Sequence, residues 1–148
     1  MNQIKIQRFC GFSVHPVVDV EVYVDHGSPT LLNLSIKCGD ASEEEAPEDE
    51  ACGWTKPSVT FWVPVPSMEA AELDDLRVEI PWTYLSERDA KNLLYVFEHE
   101  DLWNIHVSFE IHSGLVHVTF EGQARDPNHY TGDRPDARVS GRAQFRLP

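Results

Sequence analysis

The chain has few cysteines and no long apolar run. Its three cysteines, Cys10, Cys38 and Cys52, are odd in number and show no CxxC spacing, which argues against a disulfide framework or a zinc knuckle. The start, MNQIKIQRF, has no apolar segment of signal-peptide length, and no run approaches the ~18 apolar residues of a membrane-spanning helix. We therefore expect free thiols, a cytoplasmic protein and no membrane partner.

Sequence motifs of the common enzyme classes are also missing. There is no GxSxG elbow, HExxH, P-loop or GxGxxG, and no deaminase pattern of HxE followed by PCxxC. Cys10 and His15 lie close in the sequence, but nothing local would orient a third group. A buried structural cysteine is therefore the preferred interpretation. We expect a protein that is not an enzyme and needs no cofactor.

Basic residues are scarce. The chain has 12 Lys and Arg but 25 Asp and Glu, which gives a net charge of −13. Nucleic-acid binding draws most of its affinity from neutralising phosphates, so direct binding to nucleic acid is not expected. The charge is uneven: residues 1–122 carry a net −15 and residues 123–148 a net +2. Such a chain is attracted to a basic protein surface, mainly through a faster encounter.

Alternation of apolar and polar residues is abundant, and it is clearest from Trp103 to Gly122. Two alternating runs flank Ser113-Gly114, a short-range signal for a hairpin turn. This turn sets a register in which one face is wholly apolar, so a slip by one residue is excluded. That face consists of Ile105, Val107, Phe109, Ile111, Val116, Val118 and Phe120. The opposed pairs that it predicts are His112 and Leu115, Ile111 and Val116, Glu110 and His117, Phe109 and Val118, Ser108 and Thr119, Val107 and Phe120, and His106 and Glu121.

The fold class follows from the remaining patterns. Further alternating runs predict strands at residues 4–7, 17–25, 30–37, 59–65, 76–82 and 139–147, and Ser67 can cap a short helical turn that reaches Leu73. One helix is expected from about residue 86 to 98, with Ser86 as its cap and a stripe of Ala90, Leu93, Leu94 and Phe97. We expect residues 1–148 to form a single, mainly β (α+β) domain. It is either an antiparallel β-sandwich or a strongly curled antiparallel sheet of about seven or eight strands, with this helix packed on it.

Two segments without periodicity are expected to be long loops, a flexible acidic one at residues 39–56 and a second at 123–138. The acidic loop is either a solvated insertion or a partner-binding segment. For the second case the predicted contact residues are Asp40, Glu43, Glu44, Glu45, Glu48, Asp49, Glu50 and Trp54. Trp62 has the polar parity of its strand, but we favour a place in the core. The leading hypothesis is a non-enzymatic binding protein that docks on a basic protein, such as an immunity or inhibitor protein that neutralises a cationic toxin or nuclease.

The histidine-rich face of the hairpin suggests an alternative, a small-ligand or metal-binding β domain. Glu110, His112 and His117 share this face and have the chemistry to hold a divalent ion. Cross-strand pairs of Glu110 with His117 and of His106 with Glu121 on a solvated face explain the same residues more simply. We therefore do not expect a metal. A third hypothesis is a structural subunit whose exposed strand edges pair in an oligomer.

Overall fold

The computed structural model describes residues 2–45, 56–81, 84–85, 90–96, 99–126 and 135–148, with the backbone alone at residues 84, 85 and 90. Twelve strands and one short helix lie in these ranges. They are β1 Gln3–Arg8, β2 Gly11–Asp25, β3 Thr30–Cys38, β4 Glu43–Glu45, β5 Ser58–Val65, α1 Ala70–Leu73, β6 Arg77–Ile80, β7 Tyr84–Leu85, β8 Ala90–Lys91, β9 Leu93–Tyr95, β10 His99–His112, β11 Leu115–Ala124 and β12 Ala137–Arg146. The mainly β, antiparallel class is confirmed.

Ten of the strands form one antiparallel sheet. Their order is β1-β12-β11-β10-β9-β5-β3-β2-β4, and β6 also pairs with β10. Because β1 pairs with β2 as well as with β12, the sheet returns to its first strand. This is the strongly curled alternative. The count exceeds eight because β4 lies in a segment expected to be a loop and β8 and β9 in one expected to be a helix, while β7 lies just before that expected helix.

The hairpin of β10 and β11 has the predicted register, from His112 opposite Leu115 to His106 opposite Glu121. Ser113 and Gly114 both have positive φ, 53° and 78°, as a tight hairpin turn requires. Before His106 the pairing shifts by one residue, and Asn104 there has a φ of 52°. This irregularity divides β10 into a first part that pairs with β9 and a second part that pairs with β6.

The core lies inside the closed sheet and is built from the inward-facing residues, which alternate with outward-facing ones along each strand. The rings of Phe61 in β5 and Phe120 in β11 approach to 5.1 Å between centroids. These strands are not neighbours, since β9 and β10 lie between them in the sheet. The contact therefore crosses the interior. Other fully buried members of the core are Ile4, Ile6, Leu32, Leu34, Ile36, Leu94, Leu102, Ile105 and Phe109.

The helix predicted at about residues 86–98 is wrong where the structure describes that segment. Ala90–Lys91 and Leu93–Tyr95 are strands β8 and β9, whereas residues 86–89 and 97–98 lie outside the described ranges. Leu94 and Val96 are buried and Tyr95 is exposed, which is the two-residue period of a strand. The physical reason is long-range: β9 hydrogen-bonds to both β5 and β10 and so satisfies backbone groups that a helix would leave open.

The short helical turn is confirmed at Ala70–Leu73. Ser67 is not its cap, because the residue at the N-cap is Glu69, which makes no side-chain cap hydrogen bond. The Ser67 hydroxyl instead accepts a hydrogen bond from the backbone N–H of Glu69 at 3.1 Å, one position before the helix. Leu73 is fully buried in the core. The turn therefore closes over the interior and leads the chain into β6.

Candidate functional site

The first half of the acidic segment is partly ordered as a strand. Glu43–Glu45 form β4, all three side chains are exposed, and β4 pairs with Phe12, Ser13 and Val14 of β2. The flexible loop expected at 39–56 is thus wrong for these three residues, because β2 extends past the end of β3 and offers them free backbone partners. Glu48, Asp49, Glu50 and Trp54 lie outside the described residues, and their role remains a prediction.

A buried histidine lies beside this acidic strand. His15 is fully buried, with Nδ1 2.9 Å from the Gly39 carbonyl oxygen and Nε2 3.0 Å from the Ser13 hydroxyl. A carbonyl only accepts, so Nδ1 carries the proton and Nε2 of the neutral ring accepts from Ser13. Both ring nitrogens are therefore engaged. These contacts hold His15 in a structural role. Cys10 is only partly buried, so the buried position expected for it is wrong.

The pKa of His15 is lowered from its ordinary value of 6.5, chiefly because burial removes the imidazole from water. The Gly39 carbonyl and the carboxylates of Glu44 and Asp40 oppose this shift and raise the pKa. Asp40 and Glu44 are therefore close enough to His15 to interact with its charge. The structure brings these two predicted contact residues together at one end of β2.

His15 is expected to make stability depend on pH. Because its folded pKa lies below 6.5, the unfolded chain binds more protons between the two values, and stability is lost as pH falls below about 6.5. His15→Asn keeps a donor near the Gly39 carbonyl but does not titrate. Denaturant unfolding of both proteins from about pH 7.5 to about pH 5.5 measures the difference. Equal slopes with pH in the two proteins would contradict this assignment.

An exposed aromatic pair lies further along β2. Tyr23 is 61% exposed, and its ring meets that of Trp62 edge-on, at 6.0 Å between centroids. The core position favoured for Trp62 is thus wrong. Tyr23 pairs with Asn33 and Asn33 with Trp62, so the period of two carries all three side chains to the outer face. The strand was predicted, but its neighbours decide which face is covered.

A bulge in β2 lies between the end of the strand that pairs with β4 and the aromatic pair. Val17 faces Cys38 while Asp19 faces Lys37, so Val18 is an extra residue, and it is 65% exposed. Gly39, next to Asp40, packs against it: a Cβ at Gly39 would lie 3.4 Å from a methyl group of Val18. The exposed residues Asp19 and Glu21 follow on the same strand. Acidic and apolar side chains therefore run together from β4 to Tyr23.

The side chains of His106 and His112 contact glutamates other than the residues opposite them in the hairpin. Nε2 of His112 lies 3.2 Å from Glu110, two residues away on the same strand, and Nδ1 of His106 lies 3.6 Å from Glu79 of β6. The rings of His112 and His117 are 5.4 Å apart between centroids. Among the described residues no group of three or more His, Cys, Asp or Glu side chains could hold a metal ion. Glu110, His112 and His117 are thus neighbours but do not form such a group.

The thiol of Cys38 is free and buried at the end of β3. Burial raises its pKa to about 12, so the reactive thiolate is scarce at neutral pH. Cys52 lies outside the described residues. Cys38 is therefore a packing residue.

Within the described ranges the only helix has four residues, and none is long and apolar enough to span a membrane. Comparisons of the chain with protein-family models, curated proteins and solved structures found no match. The functional proposals below therefore rest on this chain's own residues.

Proposed function

We propose that this protein is a non-enzymatic binding protein that docks on a basic protein surface. The observation that carries the proposal is the run of three exposed glutamates on β4, at the edge of the sheet. We define the acidic surface as Asp19, Glu21, Asp40 and Glu43–Glu45. It runs along β2 from β4, and at its far end Glu21 lies two residues from Tyr23, which contacts Trp62.

The combination of charges and aromatic rings supports an interface. Exposed charges steer a partner of opposite sign and raise the association rate. Aromatic side chains supply the buried contact area that holds a complex together, and Tyr and Trp are enriched among the residues that dominate binding energy. A cationic toxin or nuclease is the class of partner that such a surface would neutralise, in the manner of an immunity or inhibitor protein.

The association rate with a basic partner is expected to fall roughly tenfold or more at low salt when Glu43, Glu44 and Glu45 are all changed to Gln. Affinity capture from lysate at low and high salt supplies the partner, and stopped-flow mixing then measures its association rate constant against salt. Tyr23→Ala is expected to speed dissociation instead, because the ring contributes after encounter.

The matched control removes three charges elsewhere: Glu69→Gln, Glu72→Gln and Asp75→Asn, all exposed in or near α1. It has the same net charge as the β4 variant and is expected to keep most of the rate. Charged edge strands also prevent edge-to-edge pairing, so light scattering must first show that the molar mass of each variant is unchanged. Equal rates for the two triple variants would refute the proposal.

A further inference from the structure

A second surface lies on the outer face of β6, β10, β11, β12 and β1, where two rows of polar residues cross the strands. In the first row Arg77 is opposite Ser108, Ser108 is opposite Thr119, and Thr119 is opposite Arg142 in the strand register. In the second row, one step along the same face, Glu79 pairs with His106, His106 with Glu121, and Glu121 with Ser140. We call these the arginine row and the carboxylate row.

Both rows line one groove with a volume of about 930 Å³. Gly141 lies between them on β12, and a Cβ there would be 2.8 Å from the Gln3 carbonyl oxygen and 2.9 Å from the Phe120 ring. A glycine in a strand marks such a close approach or a tight bend. The size of the groove suits a small molecule, for which pockets of ~300–1,000 Å³ are typical.

The arginines of the first row have no ion-pair partner within the part of the chain that the structure describes. Arg77 and Arg142 are exposed, and neither forms an ion pair with another described residue. The hydroxyls of Ser108 and Thr119 lie between them in the row. Three strand spacings of ~4.8 Å separate the two arginines, so their long side chains can converge over these hydroxyls. Guanidinium groups pair with phosphate through two parallel hydrogen bonds, and hydroxyls donate to the same oxygens.

We propose that this groove binds a small phosphate monoester that carries hydroxyl groups, as sugar phosphates do. The arginine row holds the phosphoryl group. The carboxylates of Glu79 and Glu121 accept hydrogen bonds from the hydroxyl groups about 7 Å away, the distance of one step of two residues along a strand. Only the arginine row is basic, and it lies beside the carboxylate row in a chain with a net charge of −13. This negative surrounding repels long polyanions and favours a small ligand.

The test is an NMR titration of the full ¹⁵N-labelled chain with glucose 6-phosphate. We expect saturable shifts of the Ser108 and Thr119 amides, weaker binding of inorganic phosphate and no effect of glucose. Changing both Arg77 and Arg142 to Gln is expected to raise the dissociation constant by at least about tenfold. Glu79→Gln with Glu121→Gln is expected to reduce the preference for glucose 6-phosphate over inorganic phosphate, because the hydroxyl groups lose their carboxylate partners while the phosphoryl group keeps both arginines.

Arg146→Gln is the matched control, because Arg146 is exposed on the same face of β12 but does not line the groove. It is expected to leave binding unchanged, and the amide spectrum of each variant shows whether it is folded. Three results would overturn the proposal: no saturable shift, equal binding of succinate, or an oligonucleotide that binds far more tightly than glucose 6-phosphate. None of these results bears on the acidic surface, which lies on other strands and is tested with a protein partner.

Discussion

Replacing Asp126 by Asn is expected to lower the free energy of unfolding by about 3–5 kcal/mol. The carboxylate of Asp126 accepts hydrogen bonds from Nε and Nη2 of Arg8 at 3.2 and 3.0 Å. The two side chains are 0% and 2% exposed. The amide of Asn has nearly the same shape but no charge, so the buried guanidinium of Arg8 would lose the charge of Asp126 that opposes its own.

Denaturant unfolding measures this cost, and Glu21→Gln provides the comparison. Glu21 pairs with Lys37 at 2.8 Å, but both side chains are more than half exposed, 61% and 51%, so its loss should cost less than about 1 kcal/mol. The double change of Arg8→Met with Asp126→Leu is expected to recover most of the stability, because apolar groups can replace a buried ion pair. Similar costs for Asp126→Asn and Glu21→Gln would show that the buried pair has no special role.

Phe61→Ala is the second large effect, with an expected loss of about 3–5 kcal/mol in the free energy of unfolding. Phe61 is fully buried, and its ring meets that of Phe120 across the interior. Removing the ring takes away buried apolar surface and leaves a cavity that the closed sheet cannot easily collapse to fill. Denaturant unfolding measures this loss in the free energy of unfolding.

The contact between the rings of Phe61 and Phe120 can be tested by combining two substitutions. Phe61→Ala and Phe120→Ala should not be additive, because each removes the same ring contact, and contacting residues show coupling of about 0.5–3 kcal/mol. Val18→Ala is the control, since Val18 is 65% exposed and its truncation should change stability by no more than about 0.5 kcal/mol. Strictly additive losses for the two phenylalanines would contradict the closed arrangement of β5 and β11.

The hairpin shows how far the sequence alone can lead. Its turn and its two-residue period lie within one local stretch, and together they predicted every opposed pair from His112 and Leu115 to His106 and Glu121. The same information did not predict the side-chain partners. His106 meets Glu79 because β6 joins the far edge of β10, and no local pattern indicates which strand takes that place.

The segment around Leu94 shows the opposite outcome. Its apolar residues fit a helical stripe and a strand equally well, as short apolar runs often do. The open edges of β5 and β10 resolved the ambiguity, because β9 pairs with both. The groove could not be predicted for the same reason. Arg77 and Arg142 are far apart in the sequence, and they lie in one row only because β10 and β11 pair between their strands.

The sequence by itself determined the mainly β class, most of the strands, the hairpin register and the acidic character of the chain. These properties depend on local periodicity, turn chemistry and composition, which a single chain displays directly. The tertiary structure decided that the sheet closes on β1, that β9 replaces the expected helix, and that Trp62 faces outward. It also decided which acidic, aromatic and basic side chains share a surface. Those outcomes depend on which strand edges pair over long range, and pairing energy is realised only when distant segments meet.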